Sequence, residues 1–231
     1  MDAIIKERLS YHRDTLQMDI NENKIRKDCE REARRGINSI MANYDQRTGT
    51  LMAKFVKLLT QTIYSKIVVN EDALARVRQI CDARKGPVIF CPTHRSYVDF
   101  LLISVIMLYY DIEVPYVCSG DNLGKMPGIS YLLRSSGAFF MRRTFREDPL
   151  YRAIFTEYMN QLVSDKAVFE FFPEGTRSRT NAMLPPKFGI IQILTDAFFR
   201  GNAEEVTFIP VTINYTRVLE DNSFPGELTG A

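Results

Sequence analysis

A histidine and an aspartate stand five positions apart in Cys91-Pro92-Thr93-His94-Arg95-Ser96-Tyr97-Val98-Asp99. An imidazole with a carboxylate on one ring nitrogen is held in a single tautomer and stabilised when its other nitrogen takes a proton. On a continuous helix the two side chains would point apart, so pairing requires His94 in a loop and Asp99 in the first turn of a following helix. A base positioned this way is worth about 10²- to 10⁴-fold in rate. Taken alone, His-x-x-x-x-Asp fits a structural loop histidine better than a catalytic one.

Three further segments carry polar chemistry on apolar strands. Gly137-Ala138-Phe139-Phe140-Met141 ends in Arg142 and Arg143, with Arg146 just beyond. Guanidinium forks suit phosphate oxygens, and a strand end delivers them to the ligand-binding edge of a sheet, although a solvated strand terminus fits this segment equally well. Phe169-Glu170-Phe171-Phe172 breaks at Pro173 into Glu174-Gly175-Thr176-Arg177-Ser178-Arg179, and Lys187 follows. Pro173 stops the ladder, Gly175 admits a close backbone approach, and Arg177 and Arg179 share one side, a composition suited to holding an anion. Phe208-Ile209-Pro210-Val211-Thr212-Ile213-Asn214-Tyr215 reads as either core or the wall of an acyl pocket.

The elements that must position these residues follow from periodicity. Apolar positions Ile25, Cys29, Ala33, Ile37, Ile40 and Tyr44 mark an amphipathic helix over 23–44, whose mixed charges favour a solvated face over a polybasic membrane stripe. Asp45–Thr50 reads as a turn, Leu51–Ile63 as a second helix and Glu71–Ala83 as a third. Strands are expected at 88–90, 114–118, 138–141, 167–172 and 206–214, with helices near 97–110, 127–134, 149–164 and 188–199. Continuous apolar strands alternating with helices predict an α/β fold, a mostly parallel central sheet flanked by helices with an N-terminal helical extension. In such a sheet the functional residues belong in the loops at the strand ends.

Composition removes several classes of function. The 231 residues suit one large α/β domain, and 45% hydrophobic against 25% charged residues indicates a folded chain. A net charge of +2 is too small for a long-range field toward nucleic acid. Only His12 and His94 are present and the four cysteines form no CxxC pair, so neither a metal site nor a disulfide framework is expected. Charged residues interrupt the first twenty positions, which excludes a secretory signal there. The longest apolar run, 100–110, would span roughly 16 Å as a helix, too short for a bilayer core of about 30 Å. The run 120–126 falls short of a phosphate-binding P-loop, and 128–132 lacks the second glycine of a nucleophile elbow, so neither nucleotide hydrolysis nor a covalent acyl-serine is supported.

Taken together and in order, His94-x-x-x-x-Asp99, Gly137–Arg143, Phe172–Arg179 and Ile209–Tyr215 resemble the four blocks of the glycerolipid acyltransferases. The wording of 93–100 and 137–145 is most similar to the dihydroxyacetone phosphate and glycerol-3-phosphate branch, and the likeness covers about 67–219. The resemblance implies acyl-CoA as co-substrate with no metal or organic cofactor, His94 as the base that deprotonates the acceptor hydroxyl, and Asp99 as its orienting partner. It also implies that Arg142, Arg143, Glu174, Gly175, Arg177 and Arg179 bind dihydroxyacetone phosphate or glycerol-3-phosphate, with transfer direct and without a covalent intermediate. Nearby backbone N–H groups would stabilise the oxyanion.

The expected organisation is an N-terminal helical region, 1–66, followed by an acyltransferase domain, 67–231, that stops early. The setting implied is glycerolipid or ether-lipid synthesis, with the protein peripheral on an organelle membrane, the peroxisome first, then the mitochondrion or endoplasmic reticulum. Two alternatives accompany this reading. One is a catalytically inactive, truncated lipid- or partner-binding relative. The other is the same chemistry on a lysophosphatidate acceptor.

Overall fold

The computed structural model describes residues 22–126, 128–142, 144, 148–180 and 182–220; Arg143, Arg146 and the chain end at 223–231 lie outside them. Two helices lead, α1 (Glu22–Ile40) and α2 (Gln46–Ile63). The segment expected as a turn at 45–50 instead begins α2, because the Asp45 carboxylate accepts the Thr48 amide at 2.8 Å and caps the helix. Next come α3 (Glu71–Ala83), β1 (Val88–Pro92), α4 (Asp99–Tyr109), β2 (Tyr116–Gly120), the short α5 (Asp121–Gly124) and α6 (Ile129–Ser135). The chain continues through β3 (Ala138–Met141), α7 (Pro149–Ser164), β4 (Val168–Glu170), α8 (Gly189–Phe199) and β5 (Thr207–Val211).

The five strands form one sheet in the order β3-β2-β4-β1-β5, with every neighbouring pair parallel. Alternation along the strands splits the core into two layers. Ile89, Phe139 and Phe169 meet Phe155 and Met159 of α7, Leu194 of α8 and Ile40 of α1 on one face. Val88, Phe90 and Val168 meet Cys81 of α3 and Ile103 and Met107 of α4 on the other. Each such side chain, fully removed from water, stabilises the fold by roughly 1.5–3 kcal/mol before entropy is counted. The leading helices belong to the same body, α1 packing on α7 and β3, and α2 on α4 and α6.

The connection from β1 runs through α4 on one face of the sheet, whereas that from the adjacent β4 runs through α8 on the other. Chains leaving two neighbouring parallel strands on opposite faces open a crevice at their carboxyl ends, where ligands bind in sheets of this kind. The loops 93–98 and 171–188 both open onto that crevice. Gly86 sets the entry to β1: a Cβ there would fall 1.7 Å from the Glu205 carbonyl oxygen, so no side chain fits while β5 pairs beside it.

Candidate active site

Pro92 ends β1, and the chain turns through 93–98 before α4 begins at Asp99. His94 is therefore in the loop and Asp99 in the first helical turn, the arrangement that pairing requires. His94 Nδ1 lies 2.9 Å from Asp99 Oδ2. Because a carboxylate can only accept there, Nδ1 is the donor, and the neutral form of the ring carries its lone pair on Nε2. The imidazole rests on the Phe172 ring, with centroids 4.2 Å apart.

Asp99 is fully buried. A buried carboxylate must be matched by donors, and four converge on this one. Its Oδ2 accepts from the Arg95 amide at 2.7 Å and the Ser96 amide at 2.9 Å as well as from His94, and its Oδ1 accepts the Tyr215 hydroxyl at 2.6 Å. Tyr215 follows β5, two positions after Ile213, whose amide donates to Thr93 Oγ1 at 3.0 Å. Burial, with donation to Asp99 second, pushes the Tyr215 hydroxyl well above the ordinary tyrosine range, so it remains a donor.

The second loop is tied to the first. Glu174, itself buried, accepts the His94 amide at 2.8 Å on Oε1 and the Leu184 amide at 2.9 Å on Oε2. Ser178 returns a bond from its amide to the His94 carbonyl at 2.9 Å. Gly175 turns at φ +66°, and a Cβ there would press on the Lys187 side chain at 3.0 Å. The Arg177 guanidinium lies over the Tyr97 ring at 3.5 Å, and Nη1 is 4.0 Å from Glu220 Oε1. The sequence-predicted His94, Asp99, Glu174, Gly175 and Arg177 thus share one crevice, and Arg179 sits exposed two residues further along the same loop.

Arg142 is placed differently. It follows β3 at the edge of the sheet, and both β2 and β4 intervene before β1, a lateral span of about 14 Å at ordinary strand spacing. Its guanidinium pairs with Asp148 at 2.8 Å and covers the Tyr151 ring at 4.2 Å. Arg143, its neighbour, is outside the described residues.

Four residues of the site escape a reading of types and spacing. Tyr215 and Glu220 approach from beyond β5, a contact made across more than a hundred residues. Ser96 donates its hydroxyl to Glu220 at 2.8 Å. Glu170, at the end of β4 between Phe90 and Val117, is fully buried, and neither carboxylate oxygen has a hydrogen-bond partner among the described residues. Burial, and then the charge of Asp99, raise its carboxyl well above its ordinary value.

Comparison with known proteins places the chain in a family. A family model described as Acyltransferase matches residues 67–214. The dihydroxyacetone phosphate acyltransferase of Mus musculus is 41% identical over 169 residues, which are 73% of this chain and 25% of that protein. The glycerol-3-phosphate acyltransferase of Ectopseudomonas mendocina (strain ymp) is 40% identical over 205 residues, 88% of this chain and 24% of that protein. The chain therefore spans about a quarter of the length of these curated relatives. The crystal structure of the 1-acyl-sn-glycerophosphate acyltransferase from Thermotoga maritima aligns with a TM-score of 0.46 and 17% identity, over 78% of this chain and 76% of that one.

Proposed function

The chain belongs to the Acyltransferase family, and from that premise we propose that it transfers a fatty acyl group from acyl-CoA to the hydroxyl of dihydroxyacetone phosphate or glycerol-3-phosphate. The observation that carries the reading is the 2.9 Å contact between His94 Nδ1 and Asp99 Oδ2, beside the loop that bears Arg177 and Arg179. Nε2 of His94 takes the hydroxyl proton as the acceptor oxygen attacks the thioester carbonyl. The tetrahedral adduct collapses with loss of the CoA thiolate, which receives the proton from the imidazolium, so the base is restored and no acyl-enzyme forms. Arg177 and Arg179 hold the phosphate, and Asp99 stabilises the imidazolium. No step calls on a metal or an organic cofactor.

The test is acyl transfer from radiolabelled palmitoyl-CoA with dihydroxyacetone phosphate, glycerol-3-phosphate and lysophosphatidate offered in competition. Label in an acylated three-carbon phosphate supports the reading. Label confined to phosphatidate moves the acceptor to lysophosphatidate, and binding of an acceptor without transfer makes the chain an inactive relative.

A peripheral position on a membrane belongs to the same proposal. No helix among the described residues is long and apolar enough to cross a bilayer. Yet α2 exposes Leu51, Phe55 and Leu58, more than half of each in solvent, on a helix that carries Arg47, Lys54 and Lys57 and no acidic residue. An apolar stripe flanked only by cations suits an anionic lipid surface. Its far end leads to Tyr64, whose ring packs on Tyr215 at 5.9 Å between centroids, so the stripe runs toward the dyad. Serine at all three apolar positions is expected to abolish sedimentation with anionic vesicles, and unchanged sedimentation contradicts the docking. An organelle membrane, the peroxisomal one first, is the setting to examine by imaging the tagged protein.

A further inference from the structure

The carboxylate of Glu220 is 9% exposed and sits where the post-β5 segment returns over the His94 loop. It accepts the Ser96 hydroxyl at 2.8 and 3.1 Å and the Tyr97 amide at 2.6 Å, with Arg177 Nη1 at 4.0 Å. Tyr97 thus serves twice: its amide holds Glu220 while its ring carries the Arg177 guanidinium at 3.5 Å. The Arg177 side chain, also 9% exposed, lies against the Tyr97 ring and beside the Glu220 carboxylate.

We propose that Glu220 is a positioning residue for the acceptor phosphate: by locking the Ser96–Tyr97 turn it sets the plane of Arg177 relative to His94, without touching substrate itself. A planar guanidinium is useful for phosphate only in the right plane, because its donors form a rigid fork. A long side chain held in advance loses less entropy when the anion arrives.

The inference rests on the acceptor reading above, and the experiment separates the two. Wild type, Glu220→Ala, Glu220→Gln, Arg177→Ala and the Glu220→Ala/Arg177→Ala double variant are compared for kcat, for KM toward glycerol-3-phosphate and palmitoyl-CoA, and for glycerol-3-phosphate binding by calorimetry. Glu220→Ala is expected to raise the acceptor KM and Kd roughly tenfold, the worth of a charge-assisted contact, with kcat and the palmitoyl-CoA KM within about twofold. Glu220→Gln, whose amide oxygen still accepts from Ser96 and Tyr97, is expected to return the acceptor KM to within about threefold of wild type. In the Arg177→Ala background the effect of Glu220→Ala should vanish, since there is no guanidinium left to place.

Equal losses toward both substrates, or penalties that multiply in the double variant, overturn the proposal. If Glu220→Ala fails to fold, Glu220→Asp takes its place: the charge remains but the reach is one methylene shorter, so the acceptor KM must still rise. Wild-type protein that neither acylates nor binds glycerol-3-phosphate or dihydroxyacetone phosphate overturns both readings. Wild-type turnover with an acceptor KM indifferent to Glu220 overturns this one alone.

Discussion

Glu174 accepts a hydrogen bond from the backbone amide of His94 at 2.8 Å, across eighty residues of sequence. Its other oxygen takes the Leu184 amide at 2.9 Å, so one buried carboxylate fastens the base-bearing loop after β1 to the loop after β4. The family resemblance implies acceptor binding for this residue. Its contacts describe a strut that fixes where the imidazole stands.

Glu174→Gln tests that role. One carboxylate oxygen becomes an amide that faces a backbone N–H, and a buried donor left without an acceptor costs about 1–3 kcal/mol. Thermal unfolding should show that loss together with a lower kcat, while the acceptor KM stays near wild type. A selective rise in acceptor KM at unchanged stability would instead make Glu174 a substrate contact.

Tyr215→Phe deletes the 2.6 Å bond to Asp99 Oδ1 and leaves the ring packing in place. Hydrogen bonds to charged groups are worth about 1.5–3 kcal/mol, and if part of that is expressed in the transition state kcat falls roughly tenfold. Both KM values should hold. In a His94→Ala background the same substitution should cost almost nothing further, because Tyr215 acts through the dyad. An unchanged kcat would show that Asp99 is held well enough by its three other donors.

Glu170 gives stability a pH dependence. Its folded carboxyl is raised above the ordinary value of 4.5, so as pH climbs past that value the unfolded chain releases the proton while the folded chain keeps it. The unfolded state then binds fewer protons, and stability falls with pH by up to about 1.36 kcal/mol per unit until the folded carboxyl also ionises. Glu170→Gln cannot ionise. The melting temperature of the variant minus that of wild type should therefore grow from pH 5 to pH 8, and a constant difference would contradict a neutral Glu170.

Direct transfer makes a further demand on the cysteines. Burial pushes the Cys91 thiol up to about 11 and the Cys118 thiol up to about 12, so neither offers a thiolate at neutral pH. Cys91→Ala, one strand position before Pro92, should retain kcat within about threefold. A collapse of turnover, or radiolabel trapped on the protein as a thioester, would point to an acyl-cysteine intermediate.

The alternation of apolar strands with helices was enough to read a parallel sheet, because strands buried on both faces leave a continuous hydrophobic signature such as Val88-Ile89-Phe90. The order of those strands was not legible, since pairing β1 with β4 depends on packing across eighty residues. Element edges moved where a side chain decided them, as Asp45 did by capping α2 through residues that read as a turn. The contact between His94 and Asp99 was geometrically open because the helix start falls within the five residues that separate them, but spacing alone favoured a structural histidine and it was the resemblance across four blocks that singled the pair out. Tyr215, Glu220 and the strut made by Glu174 could not, for each depends on a contact made only after the sheet has formed. The separation of Arg142 from the dyad had the same cause: the arginine blocks look alike in sequence, and only strand order shows that two strands part them.

Transfer by His94→Ala is the most direct measurement. With palmitoyl-CoA and glycerol-3-phosphate or dihydroxyacetone phosphate, kcat should fall by about 10²-fold or more while calorimetry still finds the acceptor bound at near wild-type affinity. Turnover within tenfold of wild type by a folded His94→Ala protein would contradict a mechanism in which the imidazole held by Asp99 removes the acceptor's proton.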